Sequence, residues 1–328
     1  MLLVVVVVIA LGFDFTNGFH DTANAVATSV GTRALTPRVA VLIAAVANLA
    51  GAFVTTAVAK NVATGLINPA LATMQTIFAA LLGAIAWNLL TWRLGLPSSS
   101  SHALIGGLIG AALVQSGKEG VLWHGVAHKV VIPALAAPVI AFAAAFAVLL
   151  VIYWLLQWLT PGVASRGFRL GQIGTGTWVA FTHGANDAQK TMGVIALALV
   201  LHDHGNPSDL TIPNWVKVSA GLAIGLGTYA GGWRIIRTLG QRVFRMDPEA
   251  GFAAQAAGGT TIYLATKLGY PLSTTHVVSG AVMGSGATKR LSAVRWGVAG
   301  NMVIAWVLTL PAAALVAAVL YWPIQGVF

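Results

Sequence analysis

Ten apolar runs, separated by short polar loops, leave this 328-residue chain few folds to choose from. They fall at 2–30, 38–59, 72–92, 98–115 and 130–159, and again at 174–201, 215–240, 251–266, 272–287 and 295–322. Several exceed the ~20 residues that cross ~30 Å of hydrocarbon, whereas 98–115 and 272–287 are short. Charged residues are only 8% of the chain and the mean hydropathy is +0.83, against roughly 25% charged in an ordinary soluble domain. Eighteen basic and eight acidic side chains cannot cover the surface of a soluble fold of this size, so the lipid bilayer is the solvent. The start, Met1 to Leu11, has no basic n-region and no small-residue cleavage site, and reads as part of a mature span. Without cysteine, disulfides and thiolate metal sites are excluded. The net charge of +10 does not point to nucleic acid, because the basic residues sit in short loops between spans.

Two polar motifs each occur twice, in the same order. Gly18-Phe19-His20-Asp21 through Asn24 is matched by Gly184-Ala185-Asn186-Asp187 through Lys190. Leu94-Gly95-Leu96-Pro97, four serines and His102 are matched by Leu268-Gly269-Tyr270-Pro271-Leu272-Ser273-Thr274-Thr275-His276. An ionisable group in hydrocarbon costs at least ~2.5 kcal/mol, so it marks a site. Duplicated sites in two halves are a construction of secondary transporters. Each short run follows a basic residue, a Gly and a Pro, which restarts a helix. The segments 72–115 and 251–287 therefore read as helical hairpins, whether or not they cross the membrane. Five segments per half is odd, and so is three if a hairpin counts as no crossing. The halves, 1–159 and 174–328 with a joining stretch at 160–173, are then inverted relative to each other.

Charge bias gives the orientation. Arg33, Arg38, Arg166, Arg169, Arg234, Arg237, Arg242, Arg245, Lys289, Arg290 and Arg295 fall on one side. Lys60, Lys118, Lys129 and Lys217 fall on the other. The first side is cytoplasmic, which places both termini outside the cytoplasm of a multi-pass cell-membrane protein. The loop from His202 to Asp209 is then external. Its two histidines read better as solvated than as metal ligands.

Ser98, Ser99, Ser100 and Ser101 follow Pro97, and Ser273, Thr274 and Thr275 follow Pro271. These open helices whose free N–H groups and dipole attract anions. Ordinary capping needs one hydroxyl, not three or four in a row at matched positions. The pattern reads as an oxyanion cradle that lacks a fixed cation. His102 and His276 stand at an offset of 174, with substrate contact, proton carriage, capping and packing all open to them. Gly106/Gly110 and Gly280/Gly284 form GxxxG pairs for close helix packing.

Asp14, Asn17, Asp21, Asn24 and Thr28 recur at helical spacing and share one face. Such oxygen ligands suit a hard cation, or a carboxylate that takes a proton. Asn17-Gly18 and His183-Gly184 suggest a break in each helix. An interhelical polar contact would account for Asn17 or Thr28, but poorly for Asp21 and Asp187. Aligned by these motifs, Asp14 meets Ala180, His20 meets Asn186 and Asn24 meets Lys190. Lys190 is placed to pair with Asp187, or to stand where a mobile cation would sit.

These residues resemble the PiT family of inorganic phosphate transporters. Its Gly-Ala-Asn-Asp signature is intact at Gly184–Asp187 and altered at Gly18–Asp21, and both hairpin motifs are similar to the family's. The resemblance covers nearly the whole chain. It implies an all-helical, inverted-repeat symporter of inorganic phosphate, driven by protons or sodium, usually a homodimer and without an enzymatic cofactor. It also implies that Ser99, Ser100, Ser101, Ser273, Thr274 and Thr275 hold phosphate, with Asp21, Asn24, Asn186 and Asp187 at the coupling ion. His20 and Lys190 replace neutral asparagines of the sodium-type members. That favours the bacterial proton-linked branch, with Asp21, His20 or Asp187 as carrier and a metal–phosphate complex as an alternative cargo. Asn17 joins the same face.

Two other functions compete. A sulfate permease would use the same hydroxyls, although Asp21 or Asp187 could accept the proton of hydrogen phosphate, which sulfate lacks at neutral pH. An intramembrane hydrolase would need a Ser, His and Asp set, but the chain has neither a Gly-x-Ser-x-Gly elbow nor a His-Glu-x-x-His.

Overall fold

A computed structural model describes residues 2–158, 160–207 and 210–326. Leu159, Ser208, Asp209 and the terminal residues Met1, Val327 and Phe328, which figured in the repeat boundary, the external loop and the orientation, lie outside the described residues. The described residues form thirteen α-helices, and their only β feature is an isolated bridge between Ile67 and Val121.

The first half runs through α1 (Leu2–Gly31), α2 (Pro37–Gly51), α3 (Ala57–Thr64), α4 (Met74–Leu94), α5 (Ser100–Ser116), α6 (Trp123–Val126) and α7 (Ile132–Leu156). The second runs through α8 (Pro161–His202), α9 (Asn214–Ala230), α10 (Trp233–Arg237), α11 (Pro248–Lys267), α12 (Thr274–Lys289) and α13 (Trp296–Gln325). Prolines open α2, α8 and α11, where their missing N–H costs nothing. Among the described residues, four stretches are long and apolar enough to cross a membrane: Leu2–Gly31, Met74–Leu94, Trp123–Leu156 and Trp296–Gln325.

Three boundaries differ from the apolar runs. The run at 38–59 divides into α2 and α3 after Gly51, where β-branched Val54, Thr55 and Thr56 disfavour helix. The run at 215–240 divides at Gly231, whose φ is 75°. The joining stretch 160–173 is helical from Pro161 onward and forms the start of α8. At 42 residues α8 is about 63 Å long, well beyond the hydrocarbon thickness, and its first turns are exposed.

The expected breaks at Asn17-Gly18 and His183-Gly184 do not occur; α1 and α8 run through both. The glycines serve close packing instead. A Cβ on Gly18 would lie 2.4 Å from the Ile224 carbonyl oxygen, and one on Gly184 would lie 2.1 Å from that of Asn48. The backbones of α9 and α2 therefore press directly onto the two motifs. The GxxxG pairs act likewise. Gly106 and Gly110 meet the carbonyls of Leu310 and Ala314 on α13, while Gly280 and Gly284 meet those of Pro138 and Phe142 on α7.

Gln115 donates to the Leu71 carbonyl and joins the ends of the α4–α5 segment. Lys289 pairs with Asp247 and does the same for α11–α12. Gly95 (φ 68°) and Gly269 (φ 79°) turn the chain at the two tips. Two apolar cores result. One gathers the start of α1 with α3, α4 and α5, and the other gathers the end of α1 with α2, α7, α11 and α12. The polar stretches of α1 and α8 cross the gap between them.

Candidate functional site

Asp21 and Asp187 face each other across that gap, with His183 between them. His183 Nε2 is 3.3 Å from Asp187 Oδ2 and 4.0 Å from Asp21 Oδ2, and its Nδ1 is 2.7 Å from Asn48 Oδ1 on α2. Ligand atoms of Asp21, His183 and Asp187 all fall within 4.8 Å of one another, a donor set that suits a cation. All three side chains are buried.

Each motif sends side chains to the hairpin tips. From α1, His20 Nδ1 meets Asp21 Oδ1 at 2.7 Å, and its Nε2 lies 3.1 Å from Thr91 Oγ1 and 3.3 Å from Ser98 Oγ. From α8, Asn186 donates to Thr266 Oγ1 at 2.8 Å and to the Tyr270 carbonyl at 3.0 Å. Asn24 donates to Thr275 Oγ1 at 2.9 Å. Lys190 donates to Asp187 Oδ1 at 2.5 Å, to the Leu272 carbonyl at 2.8 Å and to Ser101 Oγ. The aligned residues His20 and Asn186 thus reach the tip that follows in their own half, Asn24 reaches across, and Lys190 touches both tips.

The expected pairing of Lys190 with Asp187 is present. The expectation of a hydroxyl cradle without a fixed cation is corrected, because the Lys190 ammonium stands at the tip on Ser101. Lys190 is fully buried, which a lysine tolerates only when its charge is matched and its donors are used.

The hydroxyls divide by role. Ser99 and Ser273 are the N-caps of α5 and α12, accepting from the backbone N–H of His102 at 3.1 Å and of His276 at 3.3 Å. Ser101 donates to the Leu272 carbonyl at 3.0 Å, which binds the first tip to the second. Thr274 lies 3.4 Å from Asp187 Oδ2 and Thr275 lies 3.5 Å from Asp21 Oδ1. Ser100 Oγ is buried with no hydrogen-bond partner.

Asn17 and Asp14 lie on the same face of α1 as Asp21, one and two turns before it. Asp14 is buried, with Asn17 and Thr191 as its polar neighbours. His102 and His276 contact each other edge to face at 4.8 Å, with Trp306 stacked on His276 at 4.2 Å. They border an apolar cavity of about 310 Å³ between α7 and α13, away from the carboxylates. His202 and His204 are exposed.

In the sequence, His183 stands out only as part of an expected helix break, and Asn48 and Thr91 do not stand out at all. His183 carried a signal, since it lies four residues before Asp187 and therefore on the same helical face. Asn48 and Thr91 lie in apolar runs with no local mark, and only tertiary packing brings them in.

Residues 17–317 match the phosphate transporter family. The chain belongs to the phosphate transporter family. It is 53% identical over 324 residues to a probable low-affinity inorganic phosphate transporter of Mycobacterium tuberculosis, covering 98% of this chain and 77% of that one. A second such protein, from Bacillus subtilis, is 42% identical over 333 residues, covering 100% and 98%. The fold matches a solved sodium-dependent phosphate transporter with a TM-score of 0.89 and 27% identity, over 100% of both chains. These family members are transporters and not enzymes, so the hydrolase alternative falls, and the apolar helices are those of a membrane protein.

Proposed function

We propose that this protein is a secondary active symporter of inorganic phosphate. The observation that carries the proposal is the meeting of two hydroxyl-lined helix N-termini over a pair of buried carboxylates. The free N–H groups of α5 and α12, with Ser99, Ser100, Ser101, Ser273, Thr274 and Thr275, supply donors to the phosphate oxygens. Asp21 and Asp187 accept the proton of hydrogen phosphate, a bond that sulfate does not offer. The coupling ion, a proton or sodium, binds among Asp21, His20, Asn17, Asn24, Asn186 and Asp187. It offsets their charge, so that the anion sits close by. The triad of Asp21, His183 and Asp187 also has the donors for a divalent ion arriving as a metal–phosphate complex.

The transport cycle in this reading is the rocking of two inverted repeats, 1–159 and 174–328, joined through 160–173, about a site at their interface. Matched close contacts support the duplication. Gly18 on α9 mirrors Gly184 on α2, and Gly106 on α13 mirrors Gly280 on α7. Inversion is supported by where the hairpins open. The ends of α4–α5 lie by Lys118, and those of α11–α12 by Lys289 and Asp247. Lys118 belongs to the sparse basic side and Lys289 to the dense one, so the first hairpin opens outward and the second towards the cytoplasm. Both termini are then extracytoplasmic in the cell membrane. A homodimer is the assembly in keeping with the family resemblance.

Uptake of radiolabelled phosphate into proteoliposomes of the purified protein tests the proposal. An imposed proton or sodium gradient drives accumulation, and excess sulfate does not compete. Absence of uptake under both gradients, or full competition by sulfate, would refute it.

A further inference from the structure

Asn24 and Lys190 hold matching places, each three residues after its aspartate. Their side chains end on matching hydroxyls, Asn24 on Thr275 and Lys190 on Ser101, which stand at an offset of 174. The two arrangements differ in charge. Beside Asp21 the amide is neutral, and the carboxylate meets the His20 ring at 2.7 Å and the His183 ring at 4.0 Å but no ammonium. Beside Asp187 the Lys190 ammonium is already present, held by a carboxylate oxygen, a hydroxyl and the Leu272 carbonyl. A carboxylate, a hydroxyl and a backbone carbonyl are the oxygen set that binds a hard monovalent cation. The ammonium is fully buried at that position.

We infer that Lys190 is a tethered cation occupying the second half's ion position, so that a mobile coupling ion is needed only on the Asp21 side. The inference rests on the transport reading above and assigns that site unequal halves. A lysine kept only as a structural ion-pair partner would not be replaceable by a dissolved ion. A tethered coupling cation would be.

The test is Lys190→Asn, which restores the neutral amide found at position 24. Phosphate uptake is measured in proteoliposomes at fixed proton gradient and membrane potential, with sodium titrated against choline. The variant is expected to fall at least ten-fold below the unaltered protein without sodium. Sodium should then restore it, with an apparent sodium number one higher than that of the unaltered protein. In detergent, its melting temperature should rise with sodium chloride and not with choline chloride. Unchanged sodium dependence, or inactivity at every sodium concentration in a folded variant, would overturn the inference. If Lys190→Asn does not fold, Asn24→Lys takes its place. A second tethered cation should abolish gradient-driven uptake and spare phosphate–phosphate exchange, and retained gradient coupling would refute the idea. Failure of the unaltered protein to take up phosphate would count against the transport reading alone, because the sodium-specific melting shift of Lys190→Asn still tests the cation position.

Discussion

Ser100 separates a ligand-binding hydroxyl from a structural one, because its two possible roles have opposite consequences. Its Oγ is buried and unpartnered, at the first turn of α5 between the cap Ser99 and the tethered Ser101. Ser100→Ala therefore breaks no hydrogen bond of the resting protein. Removing an unsatisfied buried hydroxyl is neutral or slightly stabilising, so the unfolding free energy should stay within about 0.5 kcal/mol. A hydrogen bond from that hydroxyl to bound phosphate is charge-assisted and worth ~1.5–3 kcal/mol. At about 1.4 kcal/mol per tenfold, the phosphate Kd should weaken roughly 10- to 100-fold. Calorimetric titration with phosphate and equilibrium unfolding in mixed micelles read the two quantities on one preparation. Ser99→Ala is the contrast, since losing its cap bond costs about 1 kcal/mol of stability. A Ser100→Ala protein that binds phosphate within twofold of the parent would refute the placement of Ser100 in the cradle. A large loss of stability would refute the claim that its hydroxyl is idle.

Asp187→Asn removes the counter-charge of Lys190 and should destabilise the protein by ~3–5 kcal/mol. Combining it with Lys190→Met should recover most of that loss in the same unfolding titration. Gly184→Ala drives a Cβ to 2.1 Å from the Asn48 carbonyl and should prevent correct assembly of α2 on α8, seen as loss of a monodisperse gel-filtration peak. Gly12→Ala meets nothing within 4 Å and should raise stability by a few tenths to ~1 kcal/mol. Asp21→Asn should abolish gradient-driven accumulation of phosphate in proteoliposomes, and coupled uptake at the parent's rate would exclude Asp21 as the coupling carboxylate.

What could be read from the chain alone was what repeats or has a period. The hairpin tips announced themselves through Gly95-Leu96-Pro97 and Gly269-Tyr270-Pro271, because glycine turns and proline restarts are local chemistry. The carboxylate face of α1 was legible because spacings of three and four residues stack side chains on one side of any helix. Gly18 and Gly184 misled for the same reason. A glycine beside a polar motif gives one local signal whether it breaks a helix or admits a neighbour. The choice was made by Ile224 and Asn48, which lie far away in sequence.

The Lys190 contacts show the same limit at higher stakes. Its bond to Asp187 spans three residues and was foreseeable, but Ser101 is 89 residues away and Leu272 is 82 away in the other direction. Only the packed tips add a hydroxyl and a backbone carbonyl to an ordinary helical ion pair. The duplication made the difference visible, since Asn24 reaches the matching Thr275 with a neutral group. If phosphate must be met by a fixed quantity of positive charge, a half that carries its own needs less from solution. On the reading proposed above, the departure from the repeat sets how many ions accompany each phosphate, and the matching geometry of the two tips sets where it binds.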